Sequence, residues 1–231
     1  MLVSSRFCGP PDSGNGGYVS GLVAEYVDGD AEVTLRLPPP LDHQLTLDRS
    51  GAVVVVRDGD RVVAEAGPGV VDVDVPPSVG FDEAVAASAG YPFADSGHPF
   101  PTCFVCGPGR PERDGLGLFP GAVPGRSVVA APWVPDASLA GTEGVLPDQF
   151  AWAALDCPSW FGAYCFDPSL GTAVLGRMAA RVDERPRAGE RYVVGGWLRE
   201  RDGRKVHTAS VLWDESGGVV ASARATWITV S

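Results

Sequence analysis

The sequence predicts an α+β protein in which two central helices each pack against an antiparallel β-sheet. Three observations predict this fold. Residues 147–164 have the composition of one long helix that is apolar on nearly every face. Segments on both sides of it alternate between apolar and polar residues with the period of two that strands show. The chain also matches itself, because residues 53–73 align with residues 210–230 without a gap.

The internal match indicates a duplicated unit. The triplet Val-Val-Ala occurs at 62–64 and again at the aligned positions 219–221, and both triplets follow an acidic hairpin turn. Chance similarity is the competing interpretation, because alanine and valine are common in this chain. We interpret the match as a duplication in which each half is one helix followed by an antiparallel meander.

The first half begins with a short predicted strand at 2–5 and a loop rich in glycine and proline, which interrupt regular structure. A helix is expected at 18–27. Asp58-Gly59-Asp60 has the composition of a hairpin turn. The segments with strand-like alternation are 31–37, 44–47, 52–57, 61–66 and 70–75.

A connector rich in proline and glycine follows, with one predicted helix at 81–89. The second half is predicted to place strands at 116–119 and 127–133 before the long helix. The strands predicted after it are 172–182, 191–198, 205–213 and 218–229. The predicted division of the chain is an N-terminal unit at 1–75, the connector at 76–114 and a C-terminal unit at 115–231.

The charge balance limits the partners of the protein. A net charge of −11 and a pI near 4.6 argue against binding to nucleic acid or to an anionic membrane. No apolar run has the length that spans a bilayer, and residues 1–20 lack the pattern of a secretion signal. Five cysteines without framework spacing indicate reduced thiols. We therefore expect a cytoplasmic protein.

Asp156 is a carboxylate within the apolar run of the long helix. Counting by threes and fours places Gln149, Trp152 and Asp156 on one face of this helix. A buried carboxylate costs several kcal/mol unless it has partners, so this residue requires an explanation. A capping or hydrogen-bonding role near a kink at Pro158 is the structural interpretation, and catalysis is the functional one.

A long apolar helix laid across an antiparallel sheet, twice over, resembles the hotdog-fold thioesterase superfamily, in particular its single-chain tandem members, the double hotdogs. Family enzymes commonly open the helix with His-Gly-Gly, and the first half has Asn15-Gly16-Gly17. They carry an acid about two and a half turns further along, and the second half has Asp156 after Leu155. The resemblance implies a double hotdog in which each helix is wrapped by a curved antiparallel sheet.

The two halves have lost complementary parts of this motif. The second helix opens with Leu146-Pro147-Asp148 and lacks the glycines, whereas the first helix has Ala24 at the expected acid position and Glu25 one residue out of register. The resemblance implies that the glycine opening of one half faces the acid of the other. One composite catalytic site would then remain, made of Asn15, Gly16, Gly17 and Asp156, and its pseudo-symmetric counterpart would be degenerate.

Thioester hydrolysis fits such a site. Helix N-terminal amides without obstructing side chains can polarise a carbonyl, and a semi-buried carboxylate can activate water or attack the carbonyl. Asn15 and Gln149 are candidates for orienting the substrate, the water or the acid. We expect the acyl chain to contact Phe150 and Trp152, which would make Gln149, Trp152 and Phe150 the substrate-binding residues. No cofactor is expected.

Two features depart from the tandem acyl-CoA thioesterases. The segment 220–225 lacks the glutamine that supports the acid in those enzymes. The sequence also has no obvious basic patch for the phosphates of coenzyme A, and only scattered cations are candidates. These cations are Arg177, Arg181, Arg204 and Lys205.

The connector contains a Cys-x-x-Cys pair, Cys103 and Cys106, with the spacing of a zinc knuckle. His98 or Cys8 could add a ligand, but no second clear ligand pair is evident, so a packed loop with free thiols is the preferred interpretation and no metal is expected. Cys157 is interpreted as a buried thiol because no histidine is placed to activate it.

Two classes of function follow from the sequence. The first is a thioester hydrolase acting on an acyl-CoA or a related acyl thioester. The second is a non-catalytic acyl-binding or assembly module that kept the fold and lost the site. The expected partner is a small acyl thioester of the coenzyme A type, without nucleic acid or membrane, and a homo-oligomer of double-hotdog chains is compatible with the family resemblance.

Overall fold

The computed structural model describes residues 1–111 and 114–230, which form three α-helices and one ten-stranded antiparallel sheet. Residues 112 and 113 of the predicted connector and residue 231 lie outside the described residues. The helices are α1 (Gly16–Ala24), α2 (Phe81–Ser88) and α3 (Asp148–Tyr164). The strands are β1 (Ala31–Leu35), β2 (Thr46–Asp48), β3 (Val54–Asp58), β4 (Arg61–Pro68), β5 (Gly121–Ala122), β6 (Val129–Trp133), β7 (Thr172–Val182), β8 (Tyr192–Asp202), β9 (Lys205–Asp214) and β10 (Val219–Val230).

The strand order is symmetric about the central pair β1 and β7. The full order is β2-β3-β4-β1-β7-β10-β9-β8-β6-β5. Moving outward from the centre, β1, β4, β3 and β2 on one side correspond to β7, β10, β9 and β8 on the other. The segment 53–73 contains β3 and β4, and the segment 210–230 contains the end of β9 and all of β10. The two segments that match in sequence therefore occupy corresponding places in the sheet, although the division at residues 75 and 114 stays a prediction.

Contacts between the two halves hold the middle of the sheet together. β1 pairs with β7 in a register that places Ala31 opposite Ala180. Glu32 on β1 accepts a hydrogen bond of 2.6 Å from Arg224 on β10 and lies 3.4 Å from Arg177 on β7. These ion pairs cross from one half of the chain to the other.

Helix α3 is buried along almost its whole length. Residues 150–163 are all buried, as predicted for a helix that is apolar on every face. The helix continues through Pro158, and the hydroxyl of Ser210 on β9 donates to the Leu155 carbonyl at 2.7 Å. A Cβ at Gly196 would overlap the Pro158 carbonyl, so this glycine allows β8 to approach the helix backbone closely.

Three predicted strands do not form. Residues 70–75 are irregular, because β4 ends at Pro68 and the chain then passes close to the start of β1 at Gly69. A Cβ at Gly69 would lie 2.6 Å from the Ala31 carbonyl carbon. Residues 116–119 pair instead with the Cys-x-x-Cys turn, since the Leu116 amide donates to the Phe104 carbonyl at 2.8 Å. The short strand predicted at 2–5 is reduced to one bridge between Leu2 and Gln44.

The predicted connector is partly folded onto the second half. Helix α2 buries Ala84 and Ala87 in a small core with Val193, Val211 and Trp213 of the sheet. Because side chains alternate between the faces of a strand, this core lies on the face of β9 opposite Leu212, which belongs to the main core. No helix in the part of the chain that the structure describes is both long and apolar enough to cross a membrane.

Candidate active site

Asp156 lies where α1 begins and α3 crosses it. The residue is 1% exposed. Its Oδ2 accepts a hydrogen bond of 2.8 Å from the Asn15 side-chain amide and one of 3.0 Å from the Gly17 backbone amide. Its Oδ1 is buried and has no hydrogen-bond partner among residues 1–111 and 114–230. The structure thus brings the predicted acid and the predicted glycine opening together.

The environment of Asp156 favours its protonated form more than water does. Burial raises the pKa of this carboxyl to about 7. The hydrogen bond from Gly17 opposes that shift most strongly, and the bond from Asn15 adds to this opposition. The neighbouring Cys103 raises the pKa through its negative charge.

The start of α1 is shaped by three consecutive residues. Asn15 caps the helix, because its Oδ1 accepts from the Tyr18 amide at 2.9 Å while its Nδ2 donates to Asp156. Gly17 allows the helices to touch, since a Cβ there would lie 2.5 Å from Asp156 Cβ. Gly16 is the first residue of the helix, and within the described chain its amide has no acceptor.

A cavity of about 510 Å³ borders this site. Asn15, Gly16 and Asp156 contribute to its wall. The rest of the lining is largely apolar and comes mainly from the loop before α1, residues 35–39, the second half of α3, the connector and the adjoining ends of β7 and β10. The aromatic residues of the lining are Phe93, Phe100, Trp160, Phe161, Tyr164 and Trp227.

The residues predicted to bind substrate lie outside this lining. The Phe150 ring packs 5.7 Å from the Tyr18 ring in an aromatic cluster. The Cβ of Trp152 and the Cα of Gln149 lie at the helix crossing, 3.0 and 2.5 Å from where a Cβ would stand at Gly21. The cavity instead follows the turns after Asp156, where Trp160 and Tyr164 continue the same face at intervals of four residues. That spacing was available in the sequence as a signal.

The position that the sequence predicts to be the pseudo-symmetric counterpart contains an ion pair. Asp148 corresponds to Gly17, and Glu25 lies eight residues after Gly17 just as Asp156 lies eight residues after Asp148. Glu25, rather than Ala24, is therefore the counterpart of the acid. Arg185 donates to both oxygens of Asp148, at 2.6 and 3.1 Å. Burial raises the pKa of Glu25, the charge of Asp148 raises it further and Arg185 opposes the shift.

Three cysteines meet beside Asp156. The sulfurs of Cys103, Cys106 and Cys157 all lie within 4.8 Å of one another, and all three residues are buried. The pKa of the Cys103 thiol is lowered well below its usual range, because the side chains of Cys106 and Cys157 donate to it. Cys157 is the member that sequence reasoning did not connect to the pair.

The cations at the cavity differ in part from those expected. Arg204 lines the cavity, as does Arg36, which was not singled out from the sequence. Arg36 is exposed and pairs with Glu65 at 2.7 Å. Arg181 on β7 pairs with Asp30, just before β1, at 2.5 Å, and Arg177 lies beside Glu32.

Comparison by sequence identifies no relative, since no family model matches the chain and no curated protein matches it. Comparison by structure finds proteins of the same fold. A tesB protein of Mycobacterium avium subsp. paratuberculosis aligns over 96% of this chain and 89% of its own, with a TM-score of 0.61 and 11% identity. An acyl-CoA thioesterase II, TesB2, of Mycobacterium marinum aligns over 99% and 91%, with a TM-score of 0.58 and 12% identity.

A third structure, a candidate thioesterase of Novosphingobium aromaticivorans, covers 100% of this chain and 94% of its own, with a TM-score of 0.60 and 14% identity. Because the identities are low, these similarities concern the fold. They confirm the resemblance seen in the sequence at that level. Over nearly its full length, the chain has the fold of thioesterase-superfamily proteins of the TesB type.

Proposed function

We propose that the protein hydrolyses an acyl thioester at the junction of α1 and α3. The observation that carries the proposal is the arrangement of Asp156. Its carboxylate is buried, is held by Asn15 and Gly17, and lies on the wall of a cavity that the Gly16 amide also borders. An acid and a helix N-terminus on one cavity wall are the two groups that attack on a thioester carbonyl requires.

The roles of the residues follow from their contacts. Asp156 acts as the general base that takes a proton from the attacking water. The Gly16 amide has no acceptor within the described chain, so it is the donor available to a developing oxyanion. The Gly17 amide already donates to Asp156 and therefore positions the base, as does Asn15. This division of labour differs from the expectation that both glycine amides polarise the carbonyl.

The cavity supports an acyl-CoA as the substrate class. Its aromatic and aliphatic lining suits an acyl chain, and its volume lies within the range of small-molecule sites. Arg36 and Arg204 border it and could attract the phosphates of coenzyme A. The name of the Mycobacterium marinum neighbour also refers to acyl-CoA.

The symmetric strand order supports a double hotdog as the architecture behind this site. Each unit would contribute one central helix, and the pair of helices would create two related junctions. The junction with Asn15 and Asp156 is the one we propose to be active. At the other junction Pro147 has no amide to offer and Asp148 is paired with Arg185.

The test compares Asp156→Asn with Asp148→Asn on a panel of acyl-CoAs. The amide introduced by Asp156→Asn would keep the shape and an acceptor for the Gly17 amide but could not act as a base, so kcat should fall by about two to four orders of magnitude. Asp148→Asn removes a carboxylate from the second junction and should change kcat far less. The measurement is steady-state loss of the thioester at saturating substrate. Equal turnover by Asp156→Asn and wild type would refute the assignment.

One observation favours a binding module as the second candidate. Asp156 Oδ2 satisfies two donors at the start of α1, and Oδ1 is shielded from solvent, as a purely structural capping carboxylate could be. In this second candidate function the protein binds an acyl thioester in the cavity without cleaving it. Calorimetric binding of a slowly hydrolysed acyl-CoA analogue, together with no turnover by wild type, would support the module over the enzyme.

A further inference from the structure

The three cysteines beside the proposed site form a metal-ligand set. We propose that Cys103, Cys106 and Cys157 bind one zinc ion through three thiolates, with the fourth coordination position open onto the cavity. The proposal does not depend on thioester hydrolysis. It replaces the expectation of an unliganded loop, which was based on the lack of further ligands near Cys103 and Cys106 in the sequence.

The distances among the sulfurs match a shared ion. Two sulfurs bound to one tetrahedral zinc at about 2.3 Å each lie about 3.8 Å apart. The Cys103 and Cys157 sulfurs are 3.7 Å apart, and all three sulfurs lie within 4.8 Å of one another. The Cys106 sulfur would need to move only slightly toward the other two to complete the set.

The elements that carry the ligands are ordered. Cys103 and Cys106 lie on a tight turn that is closed by a 2.9 Å hydrogen bond from the Gly107 amide to the Cys103 carbonyl. A Cβ at Gly107 would lie 2.5 Å from the Cys103 nitrogen, so the turn requires glycine directly after the pair. Cys157 projects from the buried helix α3. A turn and a helix thus present the thiols without any need for folding on binding.

His98 is a candidate for a fourth ligand because it contacts Cys106, and its hydrogen bonds argue for another role. Its Nδ1 accepts from the Phe100 amide at 2.9 Å, which places the ring proton on Nε2. That Nε2 lies 3.4 Å from the Cys106 sulfur and therefore donates to it. His98 orients a thiolate in this arrangement and does not ligate the ion.

The fourth position consequently belongs to solvent or to a solute. Cys103, Cys106 and Cys157 all contribute to the lining of the 510 Å³ cavity, so an ion among them faces that space. A zinc site with three protein ligands and one open position is the arrangement found where the metal binds a water or a substrate atom, whereas purely structural sites are closed by four protein ligands.

The first experiment is metal analysis of protein purified under reducing conditions without chelator. Wild type should contain one zinc per chain. Cys103→Ser, Cys106→Ser and Cys157→Ser should each lose most of it, whereas Cys165→Ser, which changes a cysteine outside the group, should retain it. The proposal would be overturned if the zinc content of wild type were no higher than that of the three ligand variants.

A second measurement tests the site on wild type alone, so the result does not depend on whether the cysteine variants fold. Wild type is first stripped of metal with a chelator, and circular dichroism is used to show that it remains folded. It is then titrated with zinc in competition with a second chelator. One site should appear, and zinc should raise the Tm. Failure of the folded, reduced protein to take up zinc would overturn the site, and recovery of a Cys103–Cys157 disulfide by mass spectrometry in its place would assign the thiols to redox chemistry.

The open position is tested by X-ray absorption on the zinc protein. Three sulfurs and one oxygen or nitrogen from solvent are expected, and His98→Gln should weaken zinc binding by about 10–100-fold without changing the coordination number. Complete loss of zinc in His98→Gln would show a closed site with four protein ligands. Asp156→Asn should retain its zinc, so the metal site and the proposed hydrolysis can fail independently.

Discussion

Asn15 performs two tasks with the two ends of one amide. Its oxygen accepts from the Tyr18 amide and caps α1, and its nitrogen donates to Asp156. A histidine, which the related helix opening commonly has, could not hold both contacts in the same way, because a neutral imidazole offers one donor and one acceptor on opposite sides of a ring. Asparagine at this position therefore connects helix stability to the orientation of the acid.

Asn15→Ser should separate these two tasks. Serine caps a helix about as well as asparagine but cannot reach Asp156 with a second donor. We expect kcat to fall by roughly 10–100-fold, which corresponds to one hydrogen bond to a charged group, and the urea midpoint to fall less than in a variant that loses the helix cap as well. Asn15→Ala removes both contacts and should also lower the midpoint. Unchanged kcat in the serine variant would show that the Asn15 contact to the acid is dispensable.

At the residue scale, the sequence predicted the contacts between residues of a known motif. It did not predict contacts between residues that are distant in sequence and belong to no motif. Asp156, Asn15 and the glycines were placed together from the two halves of a family motif. Cys157 meets Cys103 only because the connector folds back on α3, and no spacing in the sequence encodes this contact. The side of the helix on which Phe150 lies could be read only from its spacing to Asp156, because a helix that is apolar all round has no hydrophobic periodicity to show which side borders a cavity.

At the scale of elements, the crossing of α1 and α3 depends on glycines one turn apart. A Cβ at Gly17 would lie 2.7 Å from the Trp152 carbonyl oxygen, and a Cβ at Gly21 would lie 2.5 Å from Gln149 Cα. Both obstructions are backbone atoms. The helices therefore approach as closely as their main chains allow, which brings the acid to the amides.

Gly21→Ala tests this packing away from the proposed chemistry. Alanine favours a helix by up to about 1 kcal/mol over glycine, but overpacking against a backbone atom costs about 1–3 kcal/mol. We expect a net loss of roughly 1–2 kcal/mol in the free energy of unfolding, measured with urea. Gly51→Ala, where a Cβ meets only one atom at 3.9 Å, serves as the control and should be nearly neutral. A stabilised Gly21→Ala protein would contradict the close approach.

The sequence predicted element type better than element ends. Strand 172–182 has the predicted bounds, and the helix predicted at 147–164 begins one residue later. The failures are segments whose hydrophobic residues pack outside the sheet. Residues 116–119 have the alternation of a strand, but the Leu118 amide donates to the Val105 carbonyl in the connector at 2.9 Å. Alternation reports burial on one side and does not specify the partner.

At the scale of the whole molecule, one sheet and one main core join both halves. Buried residues of α1, β1, β7 and α3 belong to the same core, and the central β1 and β7 pair has no free edge. All six tryptophans lie between residues 133 and 227, so intrinsic fluorescence reports mainly on the second half. This distribution makes it possible to ask whether the first half unfolds with the second.

We expect a single cooperative transition in urea. Fluorescence should report the second half, and hydrogen exchange with mass spectrometry should report the amides of β3 and β4 in the first. The two midpoints should coincide, because separating the halves would expose the edge of β7 and the buried face of α1. Loss of protection in β3 and β4 at clearly lower urea than the fluorescence change would show that the halves fold as separate units.

The ion pair at the second junction has an evolutionary consequence. In a symmetric dimer of identical subunits, every substitution reaches both junctions at once, so neither can drift while the other is maintained. Here Glu25, Asp148 and Arg185 occupy one junction while Asn15, Gly16 and Asp156 occupy the other. In the double hotdog that we propose, fusion into one chain would release the first set from the constraint on the second. In related chains, the three charged residues should therefore vary, and should vary together, because they form one ion-pair group. The residues around the acid should stay fixed.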